Sequence, residues 1–61
     1  MFEYENGRWK RKRKYILRRD RYIDQVAKWF GKTMEANTVH HIYPVERFPQ
    51  YAWCDWNLIS V

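Results

Sequence analysis

Two adjacent histidines, His40 and His41, are the residues of this 61-residue chain whose types could bind a metal or move a proton. A neutral imidazole ligates a metal through one ring nitrogen and accepts a proton near neutral pH. A pair is weak evidence by itself. Neighbours in a strand point to opposite faces, so only one of them enters a common site unless the strand ends or twists there. The seven Asp and Glu add little, since no two share a recognisable metal or acid/base spacing. The single cysteine, Cys54, excludes an intramolecular disulfide and an all-cysteine zinc site, and it reads as an incidental small side chain.

The second chemical feature is charge. Residues 1–23 hold nine basic side chains (Arg8, Lys10, Arg11, Lys12, Arg13, Lys14, Arg18, Arg19, Arg21) against Glu3, Glu5 and Asp20. Residues 24–61 hold three basic side chains against four acidic ones. A basic segment ahead of a near-neutral one attracts polyanions, because each phosphate it neutralises releases counterions. Nucleic acid is therefore the first partner to consider, and an acidic protein surface the second. Arg11 to Lys14 has neither a lipidation motif nor a long apolar face beside it, which argues against a membrane partner.

These residues need elements to position them. Between Arg8 and Phe30 there is no Gly or Pro, and Ile16, Ile23, Val26, Ala27 and Phe30 recur at helical spacing. This predicts a dominant helix over about 8–30, begun near Asn6-Gly7 and stopped by Gly31, with Lys12, Arg18 and Arg21 facing outward. The like charges of Lys10 to Lys14, or Arg19-Asp20-Arg21, are places where it could be interrupted. Thr38 to Tyr43 is β-branched and aromatic and is closed by Pro44, which predicts a strand over 38–43. Residues 57–61 predict a second strand, joined to the first by a surface loop. The expected fold is α+β: a helix covering one face of a two-stranded antiparallel hairpin, in one domain over 8–61 behind a tail at 1–7.

A chain of this length buries only roughly 60% of its unfolded surface, so its core must be small. Aromatic residues make up 20% of it, enough to seed that core without disulfides. No apolar run has the length of a signal peptide core or a membrane span, and a reducing, cytoplasmic setting is expected.

The order of several short words bears on function. Val39-His40-His41-Ile42-Tyr43-Pro44, then Tyr51-Ala52-Trp53, then Trp56-Asn57-Leu58-Ile59-Ser60 closely resembles the centre of HNH endonucleases, particularly small phage-type members with a His-His pair. Arg18-Arg19-Asp20-Arg21-Tyr22-Ile23 and Phe30-Gly31-Lys32 resemble the run leading to that motif. The resemblance implies a ββα-metal fold, in which two strands and a following helix hold a divalent ion against a scissile phosphate. It places His40 at a metal ligand, His41 at the general base that activates water, and Asn57 at the residue that fixes the loop and orients the base.

The resemblance also has gaps. In the family a further helix carries the last metal-binding residue, often behind a Cys-x-x-Cys pair, whereas this sequence ends at Val61. Where many relatives have an upstream Cys-x-x-Cys, this chain has Asp24-Gln25-Val26-Ala27. The expectation is a truncated HNH derivative without structural zinc, in which Val26, Ala27, Trp29 and Phe30 extend the apolar stripe and a longer helix replaces the zinc knuckle.

Three functions follow from this reading. The first is a catalytically incomplete, HNH-derived binding protein that meets DNA or a nucleic-acid-handling protein, for example as a phage inhibitor of a host defence nuclease of the anti-CRISPR kind. The second is an active magnesium- or manganese-dependent endonuclease whose site a second copy completes, as in a homodimer. The third is a structural or assembly protein. The implied location is the cytoplasm of a bacterial host.

Overall fold

A computed structural model of the chain describes residues 2–61. Helix α1 spans Gly7–Arg19, helix α2 Gln25–Trp29, strand β1 Val39–His41 and strand β2 Leu58–Ser60. Short 3-10 turns at Pro49–Tyr51 and Asp55–Asn57 lie between the strands. The architecture is α+β, a helix laid on a two-stranded antiparallel hairpin. None of the described helices is long and apolar enough to cross a membrane.

Asn6 starts α1 by accepting the Trp9 N–H on its side chain at 2.8 Å, as the Asn6-Gly7 signal predicts. Trp9, Ile16 and Leu17 then fall on one side of the helix and meet Val39, Leu58 and Ala36, with Phe2 and Trp53 packed against the cluster. In the hairpin Val39 pairs with Ser60, His40 with Ile59 and His41 with Leu58. Thr38 and Val61 prolong the ladder by exchanging backbone bonds of 3.1 and 2.8 Å.

A polar latch fixes α1 to β2. The Arg19 guanidinium holds both Asp20 carboxylate oxygens at 2.9 Å and also donates to the carbonyls of Asp55 and Leu58. Asp20 accepts the Ser60 N–H in turn, and Ser60 Oγ donates to the Ile16 carbonyl. Lys12 adds an ion pair with Asp55 at 2.6 Å.

The helix expected over 8–30 is two helices. The chain leaves α1 through Arg21 and Tyr22, both in the left-handed region at φ 57° and 56°, while Tyr22 N–H returns to the Leu17 carbonyl and Arg21 N–H to that of Arg18. That is the glycine-type helix stop made without glycine. The stripe expected beyond it does not reach the core either. Ile23 is half-buried in a backbone bridge to Glu35, whereas Val26, Trp29 and Phe30 are exposed, because a five-residue α2 has no element lying over it. The idea of a longer apolar helix replacing the knuckle is therefore wrong. Gly31, expected to end the long helix, ends the short α2 instead, at φ 77°, with the Lys32 and Gly31 N–H groups returning to the carbonyls of Ala27 and Lys28.

Candidate functional site

His41 ends β1, half-buried, with its Nε2 3.0 Å from the Ala52 carbonyl oxygen. A carbonyl can only accept, so Nε2 carries the proton and Nδ1 keeps the lone pair of the neutral ring. The ring lies stacked on buried Trp9, centroids 5.4 Å apart at 19°, with Phe2 edge-on at 5.2 Å and Tyr4 at 6.2 Å. Phe2 and Tyr4 belong to the segment ahead of α1, and they close the aromatic surround of this imidazole.

Asn57 is fully buried and holds the loop between the strands. Its Oδ1 accepts the Tyr43 N–H at 2.7 Å, and its Nδ2 donates to the carbonyls of Tyr43 and Tyr51 at 3.3 and 3.1 Å. Tyr51 directly precedes Ala52. The amide therefore fixes the backbone that presents a carbonyl to His41, and rings of Tyr43, Phe48, Tyr51 and Trp56 pack around the same loop.

The two histidines line one groove, despite their alternation along β1. The strand ends at His41 and the chain bends, so that His40, exposed, and His41 both line an open groove of about 460 Å³ with Tyr4, Trp9, Arg13 and Glu46. Tyr4, Trp9 and Arg13 also line a second groove, of about 730 Å³, that runs along α1 past Lys10 and Lys14.

The nine basic residues are divided by their contacts. Arg8 lies 3.8 Å over the Trp53 ring, and Lys10 faces Glu5 at 3.7 Å in solvent. Lys12 and Arg19 belong to the latch, and Arg13 donates to the Asn37 carbonyl. Arg11, Lys14, Arg18 and Arg21 are exposed and have no ion pair or side-chain hydrogen bond among the described residues. Arg11, Lys14 and Arg18 are spaced to share one side of α1, away from the Trp9 and Ile16 face.

No protein-family model matches the chain, and no curated protein matches it. A solved structure does: the HNH endonuclease of the deep-sea thermophilic bacteriophage GVE2, determined with a manganese ion, superposes with a TM-score of 0.90 at 29% identity over 95% of this chain. The fold is that of a small phage HNH endonuclease. The chain spans 63% of that neighbour's length.

In this HNH-like frame the donor set is thin. Among the described residues no three His, Cys, Asp or Glu side chains converge on a point that could hold a metal. His40 alone stands at the ligand position that the sequence resemblance implies, and a magnesium- or manganese-sized ion needs a near-octahedral shell of donors. These residues by themselves do not fit a divalent ion. Cys54 is half-buried with its Sγ 3.9 Å from the Gln50 carbonyl and joins no such group.

Reading the sequence missed three parts of the site. Trp9 lies near or beside the helical stripe in the sequence, with nothing local to mark it as the platform of a histidine 32 positions later. The Ala52 carbonyl is backbone and leaves no trace in residue type. The separation of engaged from unengaged cations depends on Asp55 and Asn37, which are distant in the chain.

Proposed function

We propose that this chain is the DNA-binding, base-bearing part of an HNH-type nuclease site, and that these residues unaided bind DNA without cleaving it. The observation that carries the reading is the junction of two grooves: the one lined by Lys10 and Lys14 meets the one lined by His40 and His41 through Tyr4, Trp9 and Arg13. A phosphate backbone held along α1 is thereby delivered to the imidazoles. Arg11, Lys14 and Arg18 supply the field, since no partner in the described structure neutralises them.

At the scissile bond His41 would act through Nδ1, drawing a proton from water as the oxygen attacks phosphorus. The Ala52 carbonyl holds the tautomer that leaves Nδ1 open, and Asn57 holds the loop that holds Ala52. The reaction also requires stabilisation of charge at the leaving oxygen, and the described side chains offer only His40 there. DNA is favoured over an acidic protein because Arg11, Lys14 and Arg18 form a row along one side of a helix, with Lys14 at the rim of the groove, a shape suited to a backbone of regularly spaced charges.

The test has two readouts. Fluorescence anisotropy with a labelled DNA duplex should show binding that weakens with salt, and replacing Arg11, Lys14 and Arg18 by Ala should flatten the log–log salt slope by about 2.7. Replacing Lys12 or Arg19 should act on stability first. Incubation with supercoiled plasmid in magnesium or manganese should give no nicking above that of a His41→Ala control. Nicking that the control abolishes would overturn the non-cleaving part, and activity confined to high protein concentration would assign the missing donors to a second copy.

A further inference from the structure

Residues 20–36 form an excursion that leaves the domain and returns to it. Its neck is a short ladder. Ile23 and Glu35 are bridged, Asp24 N–H donates to the Met34 carbonyl at 2.8 Å, and Ala36 N–H donates to that of Tyr22 at 2.8 Å. Its tip is α2, capped at one end by the Asp24 carboxylate on the Ala27 N–H and at the other by the Gly31 stop. The Gln25 amide donates to the carbonyls of Asp20 and Ile23 and fastens the start of α2 to the neck.

Polar bonds order this excursion, and α2 buries none of its residues. Its apolar side chains lie outside: Trp29 is 86% exposed, Phe30 75%, and Val26 and Met34 about half. In a protein whose whole core cluster is Trp9, Ile16, Leu17, Ala36, Val39 and Leu58, two large rings left in water contribute little to folding. Lys28 and Lys32 flank them, and neither has an ion pair among the described residues. The nearby acids are Asp24, which is engaged in the cap, and Glu35 at the neck.

Charge decides the occupant. A symmetric second copy would set Lys28 and Lys32 against themselves, whereas an anionic partner complements them. Arg18 and Arg21, between the basic side of α1 and this excursion in the chain, are exposed as well. A partner that offers both phosphates and flat apolar faces is a nucleic acid with unpaired bases. We propose that the tip of this excursion is a contact for unpaired nucleobases, with Trp29 and Phe30 stacking on them and Lys28 and Lys32 neutralising the flanking phosphates. The capped backbone fixes the segment that carries the rings, which lowers the cost of engaging a base. The proposal rests on the nucleic-acid reading above but uses a separate surface.

The experiment compares anisotropy titrations of the full chain on an uninterrupted duplex and on the same duplex carrying a short bulge of unpaired nucleotides. The unmodified chain should bind the bulged duplex more tightly, and Trp29→Ala with Phe30→Ala should remove about tenfold of that affinity while leaving the uninterrupted duplex unchanged. On a single strand, Lys28→Ala with Lys32→Ala should flatten the salt slope by about 1.4. Binding to the uninterrupted duplex reports the α1 reading, and the bulge preference reports this one. Equal affinity for the two duplexes, or a preference that survives the double ring substitution, would overturn the proposal. So would ring-dependent binding to phosphatidylserine-containing vesicles, or a ring-dependent dimer in sedimentation, if no bulge preference accompanies it. A double ring variant that unfolds would assign these rings to the fold and overturn it as well.

Discussion

The carbonyl of Ala52 has no proton to give, so its 3.0 Å contact commits the neutral ring of His41 to the form protonated at Nε2. Nitrogen-detected spectra of the histidine side chains should accordingly show His41 as the Nε2–H tautomer at a pH where it is neutral. A dominant Nδ1–H form would contradict the arrangement of the site. Asn57→Ala tests the same chain of contacts one step back. It strands the Tyr43 N–H and deprives two carbonyls of their donor, at a cost of about 3 kcal/mol by denaturant unfolding, and it should blur the tautomer preference before the fold is lost. Both residues were legible as words of a motif, His41 beside His40 and Asn57 before Leu58. Their means of action was not legible, because it runs through backbone atoms of Tyr43, Tyr51 and Ala52, which the residue types do not encode.

Among the elements, the joint between α1 and α2 departs furthest from the sequence pattern. Apolar residues at helical spacing run without Gly or Pro across 20–24, and propensity alone continues the helix. The chain instead places Arg21 and Tyr22 in the left-handed region, which costs about 1–2 kcal/mol for each residue bearing a Cβ. Contacts around the helix end offset that strain: Arg19 donates to the Leu58 carbonyl, Asp20 accepts from the Ser60 N–H, and the Ala36 N–H donates to the Tyr22 carbonyl. Arg21→Gly should therefore stabilise the protein by about 1 kcal/mol, a rise of roughly 4 to 8 °C in Tm for a domain of this size. Arg21→Val should lower Tm, and the reverse order in thermal melts would deny the strain. Asn6 and Gly31 were readable because caps are local: a side chain or a missing Cβ acts within a few residues of itself.

For the molecule as a whole, the latch makes stability depend on acid. Burial pushes the Asp20 carboxyl up, but hydrogen bonds from Arg19 and Ser60 outweigh it and hold the group below its ordinary value. A carboxyl more acidic in the folded chain than in the unfolded one adds stability above the unfolded value, and that stability is lost as pH falls through the folded value. Asp20→Asn should be less stable than the unmodified chain at neutral pH, with the gap narrowing below about pH 3.9, the ordinary aspartate value. A gap that stays constant as pH falls below that value would remove Asp20 from the latch. The sequence by itself determined the class of fold, the hairpin and its approximate strands, the first cap of α1, the glycine stop of α2 and the identity of the paired histidines and the asparagine. Those signals are local in the chain, or short words in order. Only the tertiary structure decided where the long helix breaks, which cations Asp55, Asp20 and Asn37 take up and which are left exposed, and that Trp29 and Phe30 face water. Each of these depends on which distant segment arrives to cover or pair a side chain, and periodicity along one element carries no information about its partner.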